Sequence, residues 1–142
     1  MPQTSPLRGL TTISFYADDM IAAKQWYTDF LGVNPYFERP NAENPAYVEF
    51  RLCDYQHELG IINRNYAPKS AGGTGGTIVY WHVDDVAVTL ERLLSLGAKE
   101  IEPLTHRGEG FITAAVADPF GNILGIMYNQ HYLDIRNSLE KP

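Results

Sequence analysis

Thr11-Thr12-Ile13-Ser14-Phe15-Tyr16-Ala17-Asp18-Asp19-Met20 returns as Thr77-Ile78-Val79-Tyr80-Trp81-His82-Val83-Asp84-Asp85-Val86, 66 residues later. Leu59-Gly60-Ile61-Ile62 then returns as Leu124-Gly125-Ile126-Met127, and Gly32 returns as Gly97, both at an offset of 65. A chain of 142 residues that repeats itself once reads as a single pseudo-twofold domain. Two units of about 65 residues would each be marginal alone, so a shared core is expected. The groove between two such halves is a natural place for a ligand, and each half can be searched for chemistry at matching positions.

Outward from the repeat, the periodicities give one plan twice. Thr12 to Ala17 alternates with period two, which predicts a strand. Asp18 or Asp19 can cap the helix that follows, on which Met20, Ala23, Tyr27 and Phe30 share a face, and Gly32 ends it. Val33 to Arg39 reads as a short strand, 40–45 as a turn, and Tyr47 to Leu52 and Glu58 to Asn63 as strands. In the second copy Ile78 to Val83 is a strand. Asp84 or Asp85 caps a helix with Val86, Leu90 and Leu93 at i, i+4, i+7. Lys99 to Leu104 is extended, Thr105 to Gly110 a loop, and Gly110 to Val116 and Ile123 to Tyr128 are strands flanking the turn Asp118-Pro119-Phe120-Gly121-Asn122. The fold class is therefore α+β, two βαβββ repeats. The first unit covers 9–63, a Gly-rich linker 64–76, the second unit 77–130 and a polar C-terminal tail 131–142, with one helical turn around Tyr132 to Ile135. Gly72 to Gly76 lacks a following Lys-Ser/Thr and leads into a strand, so it reads as a joint rather than a phosphate loop.

Composition narrows the function. Apolar residues make up 44% of the chain and aromatics 12%, enough for a packed core. The net charge of −6 argues against a nucleic-acid groove and suits a neutral or cationic small ligand, though solubility alone also explains it. No apolar run reaches the ~20 residues of a membrane span, and no secretory signal opens the sequence. One cysteine, Cys53, excludes an internal disulfide and fits a cytoplasmic protein.

The residues Asp19-Met20, Trp26-Tyr27 and Leu31-Gly32, then Val83-Asp84-Asp85, Leu96-Gly97-Ala98 and Asp118-Pro119-Phe120-Gly121-Asn122, resemble the vicinal oxygen chelate superfamily. That superfamily holds glyoxalase I, the bleomycin-resistance proteins and the extradiol dioxygenases. The resemblance covers about residues 9–130. It implies an open cup-shaped sheet, completed in a homodimer, and often a metal held by His, Gln or Glu at four positions. Here those positions are Thr12, Gly60, Ile78 and Gly125. Isoleucine and glycine offer no side-chain donor, and threonine is a poor ligand without carboxylate or imidazole support. No metal and no cofactor are expected at them, so the resemblance is to metal-free members. Of the four histidines, His57, His106 and His131 read as turn or loop residues. Glu58 and His82 are the candidates for a displaced site.

Strand parity then gives a lining. Thr12, Ser14, Tyr16, Tyr47, Glu49, Ile78, Tyr80, His82, Phe111, Thr113 and Met127 share the cup face with Gly60, Ile62 and Gly125. Ile13, Phe15, Ala17, Val79, Trp81 and Val83 take the helix-covered face. Glu49 and Arg51 read either as a solvated strand face or as a catalytic pair, the former favoured. The tyrosines read as ligand walls or as interface filler. The favoured function is sequestration of a small planar or amphipathic molecule, with no catalytic residue. The alternative is a small-molecule enzyme of lyase, isomerase or dioxygenase type. It would use displaced metal ligands, or work cofactor-free with His82 or Glu49 as base and Tyr80 or Tyr16 as donor. A regulatory module with an empty cup is the third reading.

Overall fold

A computed structural model describes residues 8, 10–52, 54–66 and 77–140. The chain forms two compact units, Met1–Ala67 and Pro68–Pro142. Cys53 and the glycines Gly72 to Gly76 lie outside the described residues.

The first unit runs β1 (Thr12–Ala17), α1 (Met20–Leu31), β2 (Phe37–Arg39), β3 (Tyr47–Leu52) and β4 (His57–Asn63), then a 3-10 turn at Arg64–Tyr66. Its open sheet has the order β1-β4-β3-β2, with β1 parallel to β4 and the other pairs antiparallel. Asp19, not Asp18, caps α1: its carboxylate accepts the Ala22 N–H at 3.0 Å. Gly32 closes the helix at φ +72° with its N–H on Thr28, the left-handed position where glycine is least strained. Met20, Ala23 and Tyr27 of α1 are buried, as are Phe15, Val48, Phe50, Leu59 and Ile61 of the sheet.

The second unit repeats the plan: β5 (Val79–His82), α2 (Val86–Ser95), β6 (Lys99–Gly108), β7 (Phe111–Ala117) and β8 (Ile123–Asn129), in the order β5-β8-β7-β6. Asp85, not Asp84, is the cap, accepting Val88 N–H at 3.0 Å. Val86, Leu90 and Leu93 of α2 are buried, as are Ala114, Val116, Leu124 and Ile126 of the sheet. In the turn before β8, Asp118 accepts the Phe120 and Asn122 amides at 2.9 and 2.8 Å.

Three expectations change. Residues 131–142 were expected as a tail with one helical turn; instead α3 spans Gln130–Glu140. It begins where the Gln130 N–H reaches Gly110 and the His131 N–H reaches the Asn129 side chain. Thr105 to Gly108 is strand rather than loop, because β6 stays paired to β7 through three register shifts. On the helix-covered face Phe15 and Ala17 are buried, but Ile13, Val79, Trp81 and Val83 are only half-buried. β1 and β5 end their sheets, so each has a strand on one side only.

Candidate functional site

In each unit the face away from the helix carries the polar and aromatic residues. In the first unit the register sets three rows across the sheet: Thr12, Glu58 and Arg51; Ser14, Gly60, Glu49 and Phe37; and Tyr16, Ile62, Tyr47 and Arg39. The Tyr47 hydroxyl donates to Glu49 Oε1 at 3.1 Å, and Arg51 Nε lies 3.3 Å from Glu49 Oε2. The other end of the Arg51 guanidinium is 3.3 Å from Glu58, whose Oε1 accepts the Thr12 hydroxyl at 2.7 Å. Arg51 also lies over the Tyr36 ring, 3.9 Å from its centroid, in cation–π geometry. Glu49 is buried, so it is not the solvated strand residue that alternation favoured. Burial is affordable here because both of its oxygens are engaged.

In the second unit Tyr80, Gly125, Ala115 and Glu102 form one row, and His82, Met127, Thr113 and Thr105 the next. Phe111 has the same parity on β7, and Ile78 just precedes β5. The Tyr80 hydroxyl donates to Glu102 Oε1 at 3.1 Å; Arg107 is 3.3 Å from Glu102 Oε2 and donates through Nε to the Thr113 hydroxyl at 3.1 Å. His82 is engaged by the C-terminal helix. Its ring stacks on Tyr132 at 4.6 Å and 10°, and its Nδ1 accepts the Asn129 N–H at 3.2 Å.

Tyr47 and Tyr80 are both held protonated. Burial pushes the Tyr47 phenol up to about 12, helped by its hydrogen bond to Glu49 and by the Glu49 and Glu58 charges. Burial also raises Tyr80, followed by its hydrogen bond to Glu102. Neither phenol is ionised near neutral pH, so each donates one proton to its carboxylate and keeps an oxygen that can only accept.

The four positions where the family resemblance places metal ligands do not fit a metal. Thr12 spends its hydroxyl on Glu58. Ile78 has no donor atom. A side chain at Gly60 would begin 2.7 Å from the Tyr47 hydroxyl, and one at Gly125 would begin 2.7 Å from Tyr80 Cδ1. Tyrosine rings therefore fill the space that ligand side chains would need. Among the described residues no three His, Cys, Asp or Glu side chains gather into a metal-holding group. Glu58, the displaced-ligand candidate, is bound to Arg51 and Thr12.

Strand parity put Tyr47, Glu49, Tyr80 and Thr113 on the faces where the register has them, but sequence reasoning missed Glu102 and Arg107. Both lie on β6, where the shifts between Glu100 and Glu102 and between Glu102 and Thr105 break the alternation that reveals facing. The Tyr36–Arg51 stack also had no sequence signal beyond the aromatic Tyr36-Phe37 pair.

This fold has known counterparts. The chain belongs to the Glyoxalase/Bleomycin resistance protein/Dioxygenase superfamily, whose family model matches residues 9–126. It is similar to the crystal structure of a glyoxalase-related enzyme from Fulvimarina pelagi, at 24% identity and a TM-score of 0.69, over 87% of this chain and 90% of that one. A lactoylglutathione lyase from Agrobacterium tumefaciens is similar at 20% identity and a TM-score of 0.66, over 89% and 98%. TioX from Micromonospora sp. ML1 is similar at 18% and 0.65, over 86% and 99%. These likenesses carry the fold alone. No curated protein matches the sequence.

Proposed function

We propose that this protein binds a planar or amphipathic small molecule on the aromatic and polar faces of its sheets, without a metal and without turnover. The observation that carries this reading is the pair of tyrosines seated on Gly60 and Gly125, where the family's metal ligands would project. Half-buried aromatic rings with a few fixed polar groups suit a small-molecule site. Absence of turnover is supported by the state of the carboxylates. Glu49 has one oxygen on Tyr47 and the other on Arg51, so protein donors already compete with any substrate proton for each of its oxygens.

The test is elemental analysis of untagged protein, before and after incubation with Zn²⁺, Ni²⁺, Mn²⁺ and Fe²⁺, followed by a thermal-shift screen of planar aromatic compounds. The expected result is no stoichiometric metal, with saturable shifts from compounds recovered chemically unchanged. One tightly held metal per chain, or conversion of a bound compound, overturns the proposal.

A further inference from the structure

The two units reach the same arrangement by different routes. In the first, Tyr47, Glu49 and Arg51 follow one another at every second position of β3. In the second, Tyr80 comes from β5 and both Glu102 and Arg107 from β6. The repeat pairs Tyr80 with Ser14, and Tyr47 with Thr113, which faces Met127 as Tyr47 faces Ile62. An arrangement copied with the repeat would reuse equivalent positions. This one does not, so a glycine covered by a tyrosine, a glutamate on its hydroxyl and an arginine behind the glutamate was assembled separately in each unit.

We infer that these two tyrosine seats select ligands that donate hydrogen bonds, namely amines and hydroxyl compounds, cationic or neutral, and reject ligands that present carboxylate or phosphate oxygens. The inference rests on the binding function proposed above and names its ligand class. Each phenol keeps its proton but commits it to a hydrogen bond with a carboxylate, which leaves only lone pairs on its oxygen for a ligand. Offering the proton to an anion would strip Glu49 or Glu102 of a charge-assisted hydrogen bond. An anion there would also meet the carboxylate behind the phenol at short range. The guanidiniums do not reverse this, because each is paired: Arg51 with Glu49 and Glu58, Arg107 with Glu102. A divalent metal at the same place would do the opposite and attract anionic oxygens. The raised phenol pKa values agree with seats that hold their protons.

The experiment compares 9-aminoacridine with acridine-9-carboxylate, two planar probes that differ in the group they present, by fluorescence titration. The amine is expected to bind at least about tenfold more tightly, ~1.4 kcal/mol. The double variant Tyr47→Phe/Tyr80→Phe keeps the rings, removes the acceptors and should lower the ratio to the part that the Glu49 and Glu102 charges maintain on their own. Glu102→Gln, at a half-exposed position, tests the second seat should the double variant not fold. Glu43→Gln/Glu91→Gln removes two negative charges at exposed sites, a larger change in net charge than either seat variant makes, and should leave the ratio unchanged. Equal binding of the two probes, preference for the carboxylate, or an equal loss in the Glu43/Glu91 control overturns the selection while leaving a binding protein. Binding of neither probe overturns both.

Discussion

Gly60 and Gly125 occupy matching places in the repeat, yet replacing each by alanine should have different costs. Neither glycine has a left-handed backbone, so alanine is conformationally allowed at both. At Gly60 the three atoms nearest the new methyl all belong to the outer end of Tyr47: its hydroxyl at 2.7 Å, Cε1 at 2.8 Å and Cζ at 3.0 Å. That side chain can swing away, losing its bond to Glu49, worth about 1 kcal/mol. The lower chain entropy of alanine returns roughly 0.5–1 kcal/mol. Gly60→Ala should therefore cost about 1 kcal/mol or less. At Gly125 the methyl would meet Tyr80 Cδ1 at 2.7 Å, near the root of the ring, and the Val79 carbonyl oxygen at 2.8 Å. The backbone of a paired strand cannot yield so easily, so Gly125→Ala should cost about 2–3 kcal/mol, in the range of overpacked cores. Urea unfolding followed by the fluorescence of Trp26 in one unit and Trp81 in the other measures both effects. A double-mutant cycle sharpens the contrast. Tyr47→Ala should absorb the whole cost of Gly60→Ala, whereas Tyr80→Ala should absorb only part of that of Gly125→Ala, since Val79 remains. Equal costs at the two glycines, or complete rescue by Tyr80→Ala, would refute the reasoning.

Further outcomes follow from the same geometry. The folded Tyr47 phenol ionises near 12 and an unfolded one near 10, so between these values the folded chain binds more protons. Stability should fall as pH rises from 10 to 12 and be untouched by this group below 10; Tyr47→Phe should flatten that decline in pH-dependent melts. Asp19→Ala and Asp85→Ala should each cost about 1 kcal/mol through lost helix caps, read as a lower urea midpoint at constant slope. Tyr132→Ala removes the ring stacked on His82 and should speed amide exchange in α3 without doing so in α2. The homodimer implied by the resemblance should appear in light scattering as twice the 16.0 kDa of the chain; a value of one chain would remove it.

What was legible in the sequence was whatever depends on local period. The strands 12–17 and 47–52 were read at their observed bounds, because side chains alternate there without a break. The caps were narrowed to two candidates each, since either aspartate of Asp18-Asp19 or Asp84-Asp85 could reach a free helix N–H; only the backbone angle at Asp19 and Asp85 decides. Facing was legible for Tyr47, Glu49, Tyr80 and His82 because regular strands carry them. The partners that give these residues their character were not. Glu49 draws its environment from Tyr47 and Arg51 on its own strand, Tyr80 from Glu102 twenty-two residues away, and Glu102 stands between two register shifts. The helical tail was missed because α3 carries few apolar residues, although Asn129 caps it by accepting the His131 N–H on its side-chain oxygen.

The outer borders of the two sheets bear on aggregation. A long regular edge strand offers unpaired amides and carbonyls to any other chain. β2 has only three residues and runs directly into Pro40. β6 is ten residues long, but its register shifts and Pro103 interrupt the spacing that a further strand would need to follow. The irregularity that hid Glu102 from sequence reading thus makes that border a poor template for sheet extension, and leaves β1 and β5 as the borders with regular pairing geometry.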